Sequence, residues 1–365
     1  MNLFLDNIIF SLQKTGGISV VWCELLQRIL IDPEFNSYFL EAPNKNIFRK
    51  QLEIQPNRIL KNPYSNYPID IQRFLNPNNL NDKGIFHSSY YRINNNPNCI
   101  NITTLHDFTY ENFFSGLAKI LHHHQKWAAI KNSKRIICVS QNTKEDLLKF
   151  YTKIDQDKIR VIYNAADTTY QPLIYINETQ LKKLIDFCSG EFVLYVGDQN
   201  NIYKNFNMAV KACKLANLPL ILVGEGSLST RENSYLTEQL GMYQYKVLPE
   251  ISNDQLNTLY NHALCLLYPS ISEGFGIPII EAQRAGCPVI STNCSSIPEI
   301  AGQGAILLNE VTEVHIAEML NLLKKDKTIV ANLREEGFKN SQRFSWDLCY
   351  QQTKELYKEV YEEYF

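Results

Sequence analysis

Two glutamates eight residues apart, Glu273 and Glu281, bracket the stretch of this chain best suited to chemistry. An apolar run from Ala263 to Tyr268 has the character of a strand and ends in Pro269-Ser270. The loop Glu273-Gly274-Phe275-Gly276 follows, and a helix is expected from Ile277-Pro278, since proline suits a first turn that needs no amide proton. Gly274 and Gly276 let backbone amides come close to a ligand, and the helix N-terminus behind them favours an anion. Carboxylates repel phosphate but accept hydrogen bonds from hydroxyls. Glu273 in the loop and Glu281 in the first helical turn would therefore hold hydroxyl groups on either side of a bound diphosphate. That combination describes a sugar nucleotide.

With Pro-Ser before it and Ala285-Gly286-Cys287-Pro288-Val289-Ile290 after it, this segment resembles the Glu-x7-Glu motif of the retaining glycosyltransferases of family 4. The resemblance implies the GT-B fold, an α/β architecture of two facing Rossmann-like doubly wound domains. It also implies that Glu273 contacts the transferred hexose, that Gly274, Phe275, Gly276 and Ile277 lie along the sugar and phosphates, and that Glu281 binds ribose. Lys204, in Tyr203-Lys204-Asn205-Phe206, matches the family's phosphate-binding lysine. Gly16-Gly17 resembles its N-terminal glycine loop, and His106 the histidine that touches the donor sugar. Catalysis would then rest on His106, Lys204 and Glu273. One departure stands out: relatives usually carry an arginine shortly after the glycine that corresponds to Gly197, whereas this chain has Asp198-Gln199. Arg92 or Arg231 could supply the missing cation.

Two domains are needed to position these groups, because one core seldom grows past about 250–300 residues and the chain has 365. Strand-like runs recur near 3–5, 38–42, 84–88, 99–105, 134–139 and 159–163. A second series covers 192–197, 219–223, 245–248, 264–268, 288–291 and 305–308. The expected division is 1–168 for the first domain, 169–190 for a linker and 191–345 for the nucleotide-sugar domain. The resemblance further implies that a last helix, 346–365, crosses back onto the first domain. The Asn- and Pro-rich segment 43–83 reads as irregular, and Ser140 as the N-cap of a helix over Lys144–Tyr151.

Other candidates look bland. His122-His123-His124 follow one another on a helix, cannot all face one metal, and read as a solvated face. Asp155 and Asp157 read as a surface turn, and Gly224-Glu225-Gly226-Ser227 lacks the third glycine of a dinucleotide fingerprint. No cofactor and no metal are expected.

The nine cysteines are scattered without a Cys-x-x-Cys pair, and Cys138 and Cys265 read as core residues. The start, Met1 to Asn7, lacks the basic character of a signal peptide, and no run approaches the ~20 apolar residues of a membrane span. A cytoplasmic protein is expected. Residues 1–185 hold 22 Lys and Arg against 16 Asp and Glu, and the remainder 14 against 22. This asymmetry suits an anionic partner for the first half, and no basic cluster suggests nucleic acid. The expected partners are a nucleotide-sugar donor and a glycan or lipid-linked glycan acceptor, with peripheral contact at the inner membrane face. Mannose carried on GDP is favoured, in surface-polysaccharide synthesis. Two alternatives stay open: a GT-B 2-epimerase, and a sugar-nucleotide-binding protein without turnover.

Overall fold

The computed structural model describes every residue except 78–79, 81, 175–177 and 225–227. It forms two units, residues 1–164 together with 346–365, and residues 165–345.

The first unit is built on a wholly parallel sheet of seven strands: β1 (Asn2–Asp6), β2 (Asn36–Leu40), β3 (Ile59–Leu60), β4 (Gly84–Ser88), β5 (Cys99–Leu105), β6 (Ser133–Cys138) and β7 (Ile159–Val161). Their order is β3-β2-β1-β4-β5-β6-β7. Strands covered on both faces lose the polar alternation of a half-exposed sheet, and so Leu3, Phe4 and Leu5 are all buried. The helix Gly17–Ile31 sets Trp22, Cys23, Leu26 and Ile29 against that core at helical spacing.

The last helix, Trp346–Tyr364, adds Leu356, Tyr357 and Val360 to the same core. Its Tyr357 hydroxyl lies 2.6 Å from His87 Nδ1, and Arg135 pairs with its Glu359 and Glu363. Residues 43–83 hold only short elements among those described, including two single-turn 3-10 helices and the brief helix Ile69–Gln72. Side-chain amides tie them together, as where Asn62 Nδ2 donates to Gln72 Oε1 at 2.8 Å. Ser140 caps the helix Gln141–Phe150, which begins three residues earlier than expected, by accepting from the Thr143 amide.

The second unit has six parallel strands: β8 (Val193–Val196), β9 (Leu220–Val223), β10 (Tyr245–Leu248), β11 (Cys265–Tyr268), β12 (Val289–Thr292) and β13 (Ala305–Leu308). The order is β10-β9-β8-β11-β12-β13, so the winding direction reverses between β8 and β11. Ligands of doubly wound sheets bind beside that reversal, outside the C-terminal strand ends. The stretch 169–190, read from sequence as a linker, belongs to this unit. The amides of Gln171 and Leu173 donate to Asn257 and Asn261 of the helix Asn253–His262, and Leu181 and Ile185 are buried.

Among the described residues no helix is long and apolar enough to cross a membrane. All nine cysteines are free, with Cys138 and Cys265 in the core.

Candidate functional site

The winding reversal of the second sheet brings two of the expected residues, Lys204 and Glu273, together on neighbouring loops. Lys204 ends a single 3-10 turn, Ile202–Lys204, after β8. The next residue, Asn205, adopts a left-handed backbone at φ 51°. Its side chain donates to the Pro269 carbonyl at 3.0 Å, and the Ile271 amide donates to the Tyr203 carbonyl at 2.9 Å. The lysine loop is thereby stitched to the loop after β11. Lys204 Nζ lies 2.7 Å from Glu273 Oε1 and 3.1 Å from the Tyr268 hydroxyl. The Lys204 and Glu273 side chains remain 15% and 12% exposed. A partly solvated ion pair of this kind can exchange one partner for a ligand.

Glu273 is held through its backbone by residues that sequence reasoning did not single out. Its amide donates to Ser295 Oγ at 2.7 Å, while its carbonyl accepts from Ser295 Oγ at 2.7 Å and Ser296 Oγ at 2.9 Å. Ser296 also donates to the Phe275 carbonyl at 3.0 Å. The only sequence signal for this clamp is Ser295-Ser296 just beyond the end of β12. Gly276, at φ 102°, caps the helix Ile277–Arg284 in a conformation that side chains resist. The Phe275 side chain is buried edge-to-face against Phe344, with ring centroids 5.5 Å apart, which leaves its backbone as the part able to line a site. Gly274 is buried in the same loop, and Ile277 opens the helix partly exposed.

Glu281 sits in the second turn of that helix rather than the first. Burial pushes its carboxyl up to about 7, while hydrogen bonds from the Tyr260 and Tyr170 phenols pull the other way. The Tyr260 hydroxyl donates to Glu281 Oε2 at 3.0 Å.

Asp198 occupies the place where the resemblance calls for an arginine, and it shapes the turn. Its carboxylate accepts from the Asn200 amide at 2.9 Å and from Asn201 Nδ2 at 2.9 Å. Arg92 is not the replacement cation. It is buried in the first unit, where both Nε and Nη2 donate to the Asp6 carboxylate. Arg231 is exposed near the start of the helix Thr230–Leu240, and the preceding Glu225-Gly226-Ser227 lie outside the described residues.

In the first unit, Gly16 caps the helix Gly17–Ile31 at φ 141°, where an added Cβ would stand 2.7 Å from Gln13 Oε1. His106 follows β5 at the C-terminal edge of the sheet. It borders a small hollow with His87, Thr104, Ser89, Asn164 and Trp22. Burial pushes its imidazole down to about 4, with Lys126 acting in the same sense and Asp107 opposing. His106 is thus neutral at pH 7. Asp107 accepts from the Thr109 amide at 2.9 Å, a backbone-anchoring role.

The histidine run corrects the sequence reading. His122 is buried and stacks on Tyr110 at 3.9 Å, and His123 stacks on Tyr151 at 5.0 Å, so only His124 is fully solvated. Their neighbour Lys126, also buried, pairs with Glu111 at 2.7 Å. Asp155 caps the turn Gln156–Lys158 as a surface residue. Among the described residues no group of three or more His, Cys, Asp or Glu side chains is placed to hold a metal ion.

Residues 177–341 match the profile of glycosyl transferases group 1, and residues 85–170 that of glycosyltransferase family 4. The chain belongs to this glycosyltransferase family. It is 27% identical over 242 residues to the O-antigen chain mannosyltransferase B of Escherichia coli, covering 63% of this chain and 62% of that protein. To the O-antigen chain mannosyltransferase RfbU of Salmonella typhimurium it is 29% identical over 185 residues, covering 50% and 48%. The chain thus spans about three-fifths and about half of these relatives' lengths. In fold it is similar to Anabaena Alr3699/HepE, solved in complex with UDP and glucose, with a TM-score of 0.73 at 18% identity over 97% of this chain and 98% of that one. The epimerase reading finds no support in these matches.

Proposed function

We propose that this protein is a retaining glycosyltransferase that moves a hexose, with mannose favoured, from a nucleotide-diphospho-sugar to a glycan or lipid-linked glycan. Its setting is the assembly of a surface polysaccharide at the cytoplasmic face of the membrane. The observation that carries the reading is the partly open Lys204–Glu273 pair, set between a helix N-terminus and the winding reversal of the second sheet. Mannose is favoured because the O-antigen relatives are named mannosyltransferases.

In this reading the bond between the sugar's anomeric carbon and the phosphate oxygen breaks, and the nucleoside diphosphate departs. Lys204 turns from Glu273 toward the diphosphate and stabilises its growing charge, aided by loop amides and the dipole of the helix Ile277–Arg284. Glu273, released from the lysine, accepts from hexose hydroxyls, and Glu281 accepts from the ribose. The backbones of Gly274 to Ile277 line the sugar and phosphates. Gly16, Gly17 and His106 keep the donor roles that the family resemblance implies. The acceptor hydroxyl attacks from the face the leaving group vacates, and its proton passes to the departing phosphate. No metal enters this scheme, and activity in excess EDTA checks that directly; loss with recovery on adding Mn²⁺ or Mg²⁺ would reject it.

The deciding experiment is calorimetry with UDP, GDP and their hexose conjugates on paired variants. Glu281→Ala should weaken binding of the bare nucleoside diphosphate by about 1–3 kcal/mol, the scale of hydrogen bonds to charged groups. Glu273→Ala should spare nucleotide binding and depress turnover. Equal losses of nucleotide affinity in both would contradict the assignment.

A further inference from the structure

Strands β11 and β12 pair as far as Tyr268 and Ser291, where the register between them ends. Beyond that point side-chain hydroxyls continue the seam. Ser291 Oγ donates to the Tyr268 carbonyl at 2.6 Å, and Thr292 Oγ1 to the Ser270 carbonyl at 2.5 Å. Ser295 and Ser296 then take the carbonyls of Glu273 and Phe275. Every donor in this row lies on the β12 side, and every acceptor between the end of β11 and the helix Ile277–Arg284.

Two features set the last two serines apart from residues that merely satisfy carbonyls. Ser296 stands at the N-cap of the helix Ile297–Ala301, where a serine side chain ordinarily accepts from a helix amide. It makes no such bond, is fully buried, and turns its hydroxyl to the carbonyls of Glu273 and Phe275 instead. Ser295 holds a left-handed backbone at φ 51°, which is uncommon for a residue with a side chain. Strain of this sort persists where surrounding contacts over-determine it, and it gathers at functional sites. Here it brings one hydroxyl onto both polar backbone atoms of a single residue. Ser295 Oγ accepts from the Glu273 amide and donates to the Glu273 carbonyl, each at 2.7 Å. The Ser296 amide donates to the same oxygen at 2.6 Å, which completes its set of partners.

A residue gripped at both its N–H and its C=O cannot turn about either soft backbone bond without breaking a contact. The Glu273 side chain therefore leaves the loop in one direction, toward Lys204 Nζ. A trans peptide also sets each N–H opposite the preceding C=O. With the Glu273 and Phe275 carbonyls drawn to the serines, the amides of Gly274 and Gly276 are turned to the other side of the loop.

We propose that Ser295 and Ser296 are positioning residues for sugar transfer, acting through Glu273 and the two glycine amides rather than on the substrate. The proposal rests on the donor reading for what Glu273 does, and not for how it is held. In the full chain, Ser295→Gly removes the hydroxyl and keeps the left-handed backbone, which glycine adopts without strain. Its melting temperature should stay close to wild type, because relief of strain offsets the lost hydrogen bonds at this half-buried position. Turnover of the UDP- or GDP-hexose that the wild type uses should nevertheless suffer, with kcat down roughly 10- to 100-fold, the cost of a slight misplacement. Affinity for bare UDP or GDP should change by less than about threefold, since the clamp serves the transition state. Ser296→Ala should show the same split. A residue that merely supports the fold would not separate kcat from nucleotide affinity in this way. As a measure that needs no substrate, hydrogen exchange at the Glu273 amide should quicken about tenfold or more in Ser295→Gly. The proposal is overturned if both serine variants keep the wild-type kcat, or if that amide exchanges at the wild-type rate in Ser295→Gly. Glu273→Ala with wild-type turnover would instead sink the donor reading, and the exchange rate would still decide whether the serines hold the loop.

Discussion

The two units share a doubly wound parallel sheet, and two buried ion pairs of the first contrast with the Lys204–Glu273 pair of the second. In the first, Arg92 and Asp6 are paired at 2% and 0% side-chain exposure, and Lys126 and Glu111 at 0% and 2%. The remaining donors are spent as well: Arg92 Nη1 reaches the carbonyls of Gln72 and Leu75, and Lys126 Nζ the Asp107 carbonyl. Such pairs fix loops in place. In the second unit, Lys204 and Glu273 retain contact with solvent, and the lysine's other close oxygen is a phenol. The desolvation cost of a ligand contact is lower there, and a diphosphate can outbid a single carboxylate for the lysine. Burial therefore separates charges that serve architecture from charges that can serve chemistry.

The largest effect should come from breaking an architectural pair. Arg92→Ala leaves Asp6 buried and uncompensated, which should cost about 3–5 kcal/mol of unfolding free energy in urea titrations. A loss below ~1 kcal/mol, the scale of exposed pairs, would erase the contrast between the units.

Lys204→Ala should behave in the reverse manner. Stability should move by less than about 1 kcal/mol because the pair is partly solvated. The value of kcat/KM should fall by roughly 10²–10³, the effect of losing one preorganised donor to transition-state charge. Near-wild-type kinetics would remove this lysine from the phosphate site.

Glu281 gives a pH signature. Its folded-state value of about 7 lies above the ordinary glutamate value of 4.5. Between the two, the folded protein holds a proton that the unfolded chain has released, so stability falls as pH rises through that window and levels off above it. With some solvent reaching the carboxyl, the fall should be about 1–3 kcal/mol. It should be absent in Glu281→Gln. Nucleotide affinity should change in the other direction, rising from pH 6 to 8 as the carboxylate forms and accepts from hydroxyls. Calorimetry across that range, with Glu281→Gln as the flat control, checks both halves.

The smallest effect should be at a helix cap remote from the site. Ser252 accepts from the Gln255 amide, and the Gln255 side chain accepts in return from the Ser252 amide. Ser252→Ala should cost about 1 kcal/mol in unfolding free energy and leave kcat/KM unchanged. A kinetic effect there would mean that the helix Asn253–His262, whose Tyr260 bonds Glu281, transmits strain to the carboxyl.

The strands and several caps were legible in the chain because their causes are local. Apolar runs such as Phe192–Val196 and Leu264–Tyr268 have no other stable place than a covered parallel sheet, and Ser140 precedes a helix whose amides need an acceptor. The Glu-Gly-Phe-Gly-Ile-Pro segment likewise specifies its own strand–loop–helix turn, since Gly276 alone tolerates φ 102° and Pro278 suits a first turn.

What remained for the tertiary structure was the pairing of groups distant in sequence. Nothing near Lys204 in the chain shows that its partner is Glu273, or that Ser295 and Ser296 hold Glu273 by its backbone. Arg92 looked like a spare cation until Asp6, 86 residues away, enclosed it. His122 looked solvated until Tyr110 and Tyr91 covered it. Periodicity and turn chemistry act over a few residues and so are written along the chain. Burial and charge compensation depend on which strands become neighbours, and these settle which ionisable groups are locked in the core and which stay open to a ligand.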